Sequence, residues 1–169
     1  MPETFFALPC EGQACTWDEA KWHADVLKYA GDDALLGASS VIQSRRLPPG
    51  FSSIDDRRYI LRPEAIESVF VLYRVTGDAQ LQDKAWQMFL SINKHTETGI
   101  ANAAISDITD PSASKSDSIE SFWTAETLKY FYLIFSDPDL VSLDDYVFNT
   151  EAHPLRRLTH GAGRRSTAA

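Results

Sequence analysis

The chain has 169 residues, a formal net charge of −8 at pH 7, 44% hydrophobic residues and 24% charged residues. These values are typical of a globular domain with a hydrophobic core, and no apolar run approaches the roughly 20 residues of a membrane span. Residues 155–169 hold four of the 16 basic side chains and no acid, which leaves 12 basic against 24 acidic side chains in residues 1–154. Because such an acidic body repels phosphate backbones, we expect no nucleic-acid partner.

The first segment carries the two cysteines. Residues 1–4 lack the basic and apolar regions of a signal peptide, so none is predicted there. Cys10 and Cys15 are close enough in sequence, around Gly12, to form a small disulfide loop in an oxidising compartment. They can equally be free thiols, and the sequence leaves both alternatives open.

The first predicted helix begins at the sequence Thr16-Trp17-Asp18-Glu19, which has the form of a capping box. It extends to about Tyr29, and its apolar face is predicted to contain Ala20, His23, Ala24 and Leu27. Residues 39–62 contain Pro48-Pro49-Gly50 and strand-type residues on both sides of Asp55-Asp56, which predicts irregular structure or a β-hairpin.

Three further helices are predicted. One begins at Pro63 and stops at Gly77, and its apolar stripe is predicted to contain Ile66, Val69, Phe70 and Tyr73. The next follows Asp78 after a very short connection, so the two form a helical hairpin. Its apolar residues are Leu81, Ala85, Trp86, Phe89 and Ile92. A third is predicted from about Asp117 to Phe135. The stretch 146–150 (YVFNT) has strand character, and the overall pattern indicates an all-α protein with small β pieces.

Several acids stand out by position. Glu64 and Glu67 point the same way from the first turn of a helix, where acids also occur simply because they favour the positive helix end. Glu126 shares a stripe with Phe122 and Trp123, although a solvent-facing helical acid is the simpler interpretation. Taken one at a time, these residues do not decide between a structural and a functional role.

Three longer segments together resemble one family. YILRPEAIESVFVLYRVTGD (59–78), DSIESFWTAETLKYFYLIFSD (117–137) and YVFNTEAHPL (146–155) are similar to signatures of the class I α-1,2-mannosidases, glycoside hydrolase family 47, in the order and spacing of that family. The resemblance covers roughly residues 40–156 and, more loosely, residues 1–39.

The resemblance implies a role for each matched residue. Glu64 matches the general base that activates water, Arg62 matches a sugar-contacting arginine, and Phe122 matches an aromatic ring under the sugar. Thr150 matches the threonine that binds Ca²⁺ through its hydroxyl and carbonyl oxygens. The acids that hold the water shell of the ion are matched by Glu67, Glu126 and Glu151, and Glu126 also lies among the substrate-binding positions.

The family fold is an (αα)7 barrel, so the resemblance implies that residues 1–158 are the C-terminal part of such a catalytic domain, followed by a disordered basic tail at 159–169. It implies calcium-dependent, inverting hydrolysis of a high-mannose N-glycan. The protein is expected to lie in the lumen of the endoplasmic reticulum or Golgi, or to be secreted. The general acid is expected in the N-terminal half of the domain, which this chain lacks. The alternative is a non-catalytic, mannosidase-like protein that binds high-mannose glycans in glycoprotein quality control.

Overall fold

The computed structural model describes residues 1–9 and 16–158. Two expectations from the sequence, the pairing of Cys10 with Cys15 and the tail at 159–169, lie outside the described residues. The regular elements of the described chain are mostly helices, together with two two-stranded antiparallel sheets. No helix in the described part of the chain is both long and apolar enough to cross a bilayer.

The chain divides into two units, and the first comprises Met1–Leu61 and Asn93–Ile119. Strand β1 (Thr4–Ala7) pairs antiparallel with β2 (Phe51–Asp56), and between them in sequence lie helices α1 (Glu19–Lys28) and α2 (Ala38–Ser44) and a 3₁₀ helix (Gly31–Leu36). The core of this unit contains the buried side chains Trp22, Val26, Ala30, Val41, Leu47 and Ile54.

Three predictions for the first unit were wrong in detail. The N-cap of α1 is Asp18, whose carboxylate accepts from the Lys21 amide at 3.0 Å, and not Thr16. The buried residues of α1 are Trp22, Asp25 and Val26 instead of the predicted face. A helix, α2, forms where irregular structure was predicted, and β2 pairs with the distant β1 instead of forming a local hairpin.

The burial of Asp25 explains why the α1 face was mispredicted. Its carboxylate can be buried because the Ser52 hydroxyl and the Lys28 ammonium donate hydrogen bonds to it, the latter at 2.9 Å. These donors hold the pKa of Asp25 below its usual value, with the Ser52 hydrogen bond as the largest cause. A buried carboxylate that is satisfied in this way contributes to packing instead of opposing it.

The second unit comprises Arg62–Ile92 and the described residues from Glu120 onward. Helix α3 (Glu64–Thr76) is followed by α4 (Gln80–Thr96), whose last residues belong to the first unit. A π-helical turn (Trp123–Thr127) leads into α5 (Leu128–Ile134), and after a 3₁₀ helix (Pro138–Val141) strands β3 (Tyr146–Phe148) and β4 (Pro154–Arg156) form a hairpin.

The predicted helical hairpin is confirmed. Pro63 is the N-cap of α3, and Gly77 ends that helix with φ of +69°, a left-handed conformation that glycine adopts without steric cost. Ile66 and Phe70 of the predicted stripe are buried, and they form a core with Ala85 of α4 and with Tyr130, Phe131 and Ile134 of α5. Trp86, one of the apolar residues expected on α4, is 47% exposed.

The predicted third helix begins later than expected. Residues 117–120 are not helical, and Ile119 is 49% exposed. The helix is also irregular, since its first turn has the wider i→i+5 hydrogen bonding of a π-helix. This turn lies between Phe122 and α5 and contains Glu126, so it sets the direction of a candidate site residue.

Candidate functional site

Helix α3 places the first two candidate acids. Glu64 is exposed and Glu67 is half-buried, one turn apart at the amino end of the helix. Because the positive end of the helix dipole lies at this end, it favours the negative charge of both carboxylates. Arg62, just before the helix, lies with Nη1 3.5 Å from Glu64 Oε1.

The π-helical turn places the second group. Trp123 and Thr127 of this turn are buried, with 4% and 0% exposure, and they fix its orientation. Glu126, between them in sequence, is half-buried, and so is Phe122. The guanidinium carbon of Arg62 lies 5.5 Å from the centre of the Phe122 ring, a cation–π contact that joins the approach to α3 with the π-helical turn.

The loop between β3 and β4 places Thr150 and Glu151, both exposed. Asn149 organises this loop, because its side-chain oxygen accepts from the amides of Glu151 and His153 at 3.1 and 2.8 Å. An Asn side chain that accepts from amides further along the chain is a common way to stabilise a tight turn. Across the described residues, the Thr150 hydroxyl makes no hydrogen bond, so its oxygen is available to a ligand.

The four acids share one electrostatic environment. Burial raises the pKa of Glu126, and the negative charges of Glu151, Glu64 and Glu67 raise it further, while the Lys129 ammonium opposes the increase. Glu126 therefore lies within Coulombic range of acids from α3 and from the β3–β4 loop. Glu64, Glu67 and Glu151 thus each act electrostatically on Glu126, and we call these four residues the acid cluster.

Two side chains that sequence reasoning missed support this cluster. Tyr130 is 2% exposed and its hydroxyl donates to Glu67 Oε1 at 3.3 Å. Burial and the neighbouring Glu67 both raise the pKa of Tyr130, so it stays a neutral donor. The Lys129 ammonium donates to the Ala152 carbonyl oxygen at 2.7 Å. Both residues lie in the 117–137 segment. The only sequence signal that could have identified them is their spacing of three and four residues from Glu126, which places them near it on a helix.

Thr150 directly precedes Glu151 of the acid cluster in the chain, but no side-chain contact in the described residues links Thr150 to the cluster. Its neighbour Glu151 acts on Glu126, whereas no contact links the Thr150 hydroxyl to another candidate residue in the described ranges. Among residues 1–9 and 16–158, no three His, Cys, Asp or Glu side chains are grouped tightly enough to hold a metal ion directly.

Comparisons with known proteins agree on one family. The family description "Glycosyl hydrolase family 47" matches residues 1–157. The endoplasmic reticulum mannosyl-oligosaccharide 1,2-alpha-mannosidase of Homo sapiens is 50% identical over 103 residues, which cover 59% of this chain and 15% of that protein. Mannosyl-oligosaccharide 1,2-alpha-mannosidase IC of Homo sapiens is 38% identical over 127 residues, which cover 75% of this chain and 20% of that protein.

A solved structure shows the same likeness. The alpha-1,2-mannosidase from Trichoderma reesei superposes with a TM-score of 0.63 at 41% sequence identity, over 69% of this chain and 25% of that chain. The chain thus spans from 15% to 20% of the two human relatives' length and a quarter of the solved chain. Because the family match extends over nearly all of its residues, the chain belongs to glycosyl hydrolase family 47.

Proposed function

We propose that this chain forms part of a mannosyl-oligosaccharide 1,2-α-mannosidase that hydrolyses α-1,2-linked mannose with inversion. The observation that carries the proposal is the acid cluster, which gathers four carboxylates from three separate segments next to the Arg62–Phe122 pair. The relatives that bear this activity in their names support it. The (αα)7 barrel inferred from the sequence is part of the same proposal.

Glu64 is the proposed general base. It is exposed, so a water molecule can reach its carboxylate, and Arg62 holds that carboxylate from one side. An inverting glycosidase needs a base that takes a proton from water and an acid on the opposite face of the sugar, far enough away to leave room for that water. We assign the acid to the part of the protein outside this chain.

Arg62, Phe122 and Glu126 are the proposed sugar contacts. The half-buried Phe122 ring is of the kind on which a sugar ring packs, and the Arg62 guanidinium carbon lies 5.5 Å from its centre, so its N–H donors are close to the same place. Glu126 is half-buried, and its pKa is raised first by this burial and then by the neighbouring negative charges, which a cation would offset.

The residues present fit a calcium ion held largely through water. Calcium takes six to eight hard oxygen ligands, and the acid cluster supplies the negative charge while the unpaired Thr150 hydroxyl supplies a neutral oxygen. We propose Thr150 as the direct ligand, with Glu67, Glu126 and Glu151 holding its water shell. The absence of three directly grouped acids among the described residues is compatible with such a site, because water separates the carboxylates from the ion. When bound, calcium would supply a Lewis-acidic anchor for sugar hydroxyls.

The substrate class follows from the same proposal. Mannosyl-oligosaccharides are named in the relatives, one of which is placed in the endoplasmic reticulum by its name. We therefore propose a high-mannose N-glycan as substrate, and the lumen of the secretory pathway, or the outside of the cell, as location.

The test is Glu64→Gln in the longest natural protein that carries this chain. The amide cannot accept the proton of water, so turnover on a high-mannose glycan with calcium is expected to fall by roughly 10²–10⁴-fold. The matched control is Glu19→Gln, which removes an acid from the first turn of α1 in the same way. Near wild-type mannose release by the Glu64 variant contradicts the assignment.

Binding measurements separate the alternative function. A wild-type protein that binds high-mannose glycan and releases no mannose, with or without calcium, favours the glycan-binding role over the hydrolase. If the Glu19 control also loses both glycan binding and mannose release, the substitutions act by destabilising the fold.

A further inference from the structure

The loop between β3 and β4 contains one buried residue in an uncommon backbone conformation. Ala152 has φ of +53° and is 0% exposed, although Glu151 and His153 on either side are exposed. A non-glycine residue in the left-handed region costs free energy. Such a conformation persists only where surrounding contacts impose it. The contacts of Ala152 therefore decide where the adjacent Thr150 and Glu151 lie.

Contacts within the loop fix its shape but not its place. Besides the two amides that donate to the Asn149 side chain, the Ala152 amide donates to the Asn149 carbonyl at 3.0 Å. The Asn149 amide in turn donates to the His153 carbonyl at 3.2 Å. All these bonds join residues 149–153 to one another. They would survive a rigid movement of the whole loop away from α5.

Lys129 ties the loop to a helix. Its ammonium donates to the Ala152 carbonyl at 2.7 Å, the short distance of a charge-assisted hydrogen bond. The next residue along α5, Tyr130, is 2% exposed and packs against Phe70, so the helix beneath Lys129 is anchored in the core. The side chain of Ala152 also packs in the core that contains Tyr130, so the lysine adds a directional polar contact between the loop and a rigid helix to this apolar packing.

The charge of Lys129 partly neutralises the acid cluster, but it does not favour a cation there. Lys129 lies close enough to Glu126 to act on that carboxylate, so its ammonium also repels any cation that the acid cluster attracts. A neutral side chain at position 129 would favour a cation more, if charge were all that mattered. For the lysine to favour calcium binding, its geometric contribution has to outweigh this repulsion, which is what the experiment below measures.

We propose that Lys129 is a positioning residue that holds the Thr150–Glu151 turn where calcium can be bound. This inference rests on the proposed function, since the calcium site at Thr150 belongs to it. It extends that function by naming the side chain that sets the site's geometry without touching the ion.

The proposal predicts that removing Lys129 weakens calcium binding, whereas electrostatics alone predicts that it strengthens calcium binding. Lys129→Met removes the donor and the repelling charge while keeping helix propensity. We expect calcium affinity, measured by isothermal titration calorimetry, to weaken about tenfold, as for the loss of one charge-assisted hydrogen bond. Lys84→Met, an exposed lysine of α4 changed in the same way, is the control and should leave affinity unchanged. Lys129→Arg keeps donor and charge and should recover part of the affinity.

Hydrogen exchange in the absence of calcium tests whether Lys129 holds the loop between β3 and β4. In chelator, the amides of residues 149–153 are expected to exchange several-fold faster in Lys129→Met than in wild type or Lys84→Met, because local opening becomes easier. If the methionine variant does not fold, Lys129→Gln is measured in the same two assays.

The outcomes separate this inference from the function on which it rests. Unchanged or tighter calcium binding in the Lys129 variants, or unchanged exchange at residues 149–153, overturns the positioning role. A wild-type protein that binds no calcium refutes the proposed calcium site, and the exchange comparison in chelator then decides alone whether Lys129 holds the turn.

Discussion

The contribution of the hydrogen bond from Tyr130 to Glu67 can be tested by removing the hydroxyl oxygen of Tyr130. Tyr130→Phe removes the hydroxyl and keeps the ring, whose centre lies 5.4 Å from that of Phe70 and 5.6 Å from that of Phe148. The packing of the core is therefore preserved, and the change reports on the hydrogen bond alone.

The magnitude follows from the geometry. Hydrogen bonds to charged groups contribute about 1.5–3 kcal/mol. The 3.3 Å separation exceeds the usual range for a hydroxyl donor, and the half-buried Glu67 can take a water molecule in exchange. We therefore expect Tyr130→Phe to lower the free energy of unfolding by about 1 kcal/mol, or the melting temperature by about 2–4 °C in a chain of this size.

The assay is urea or thermal unfolding in calcium-free buffer, with Tyr132→Phe as the control. Tyr132 lies on the same helix with 66% of its surface exposed, so the same substitution there should change stability by less than about 0.5 kcal/mol. A Tyr130 variant as stable as wild type, or more stable, would show that the hydroxyl is buried without a useful partner, and the reasoning would be wrong.

Two further predictions concern pH and calcium. The pKa of Asp25 is lowered in the folded chain by its Ser52 hydrogen bond, so its stabilisation is present above the unfolded value of about 3.9 and is lost as pH falls through the folded value. Asp25→Asn should lower stability at pH 7 and flatten the loss below about pH 4, which urea midpoints at several pH values will measure; an unchanged acid slope contradicts this. Calcium at 100 times its dissociation constant should stabilise the native protein by about 2.7 kcal/mol over the chelated form, and identical melting curves would count against a site at Thr150.

The helices that depend on local signals were predictable. Pro63 and Gly77 mark the ends of α3 by their own backbone preferences, and the apolar stripe of that helix is regular, so periodicity alone identified its buried face. On α1 the same reasoning failed, because Asp25 is buried against Ser52, a partner 27 residues away. Similarly, β2 was recognised as a strand, but its pairing with β1 is a long-range contact that no local pattern encodes.

For the candidate site, motifs identified residues but not their supports. Glu64, Glu126 and Glu151 were selected because they stand in recognisable segments, and the charges of Glu64 and Glu151 act on Glu126 in the structure. Lys129 and Tyr130 act through contacts with Ala152 and Glu67, which lie far away in sequence. The sequence marks a helical lysine and tyrosine at those positions but does not say what they reach.

The π-helical turn at Trp123–Thr127 has a consequence for how this segment tolerates changes in length. A turn with i→i+5 bonding contains one more residue than the α-helical turn that would replace it. Deleting a residue there would let the helix become regular, but each residue beyond the deletion would then rotate by about 100° relative to those before it. Phe122 and the buried face of α5 lie on opposite sides of the turn, so a shortened helix could keep only one of them in its present direction. Residues 106–117 form neither a helix nor one of the named strands. We therefore expect insertions and deletions among variants of this chain to fall in that segment and to spare the five residues of the turn.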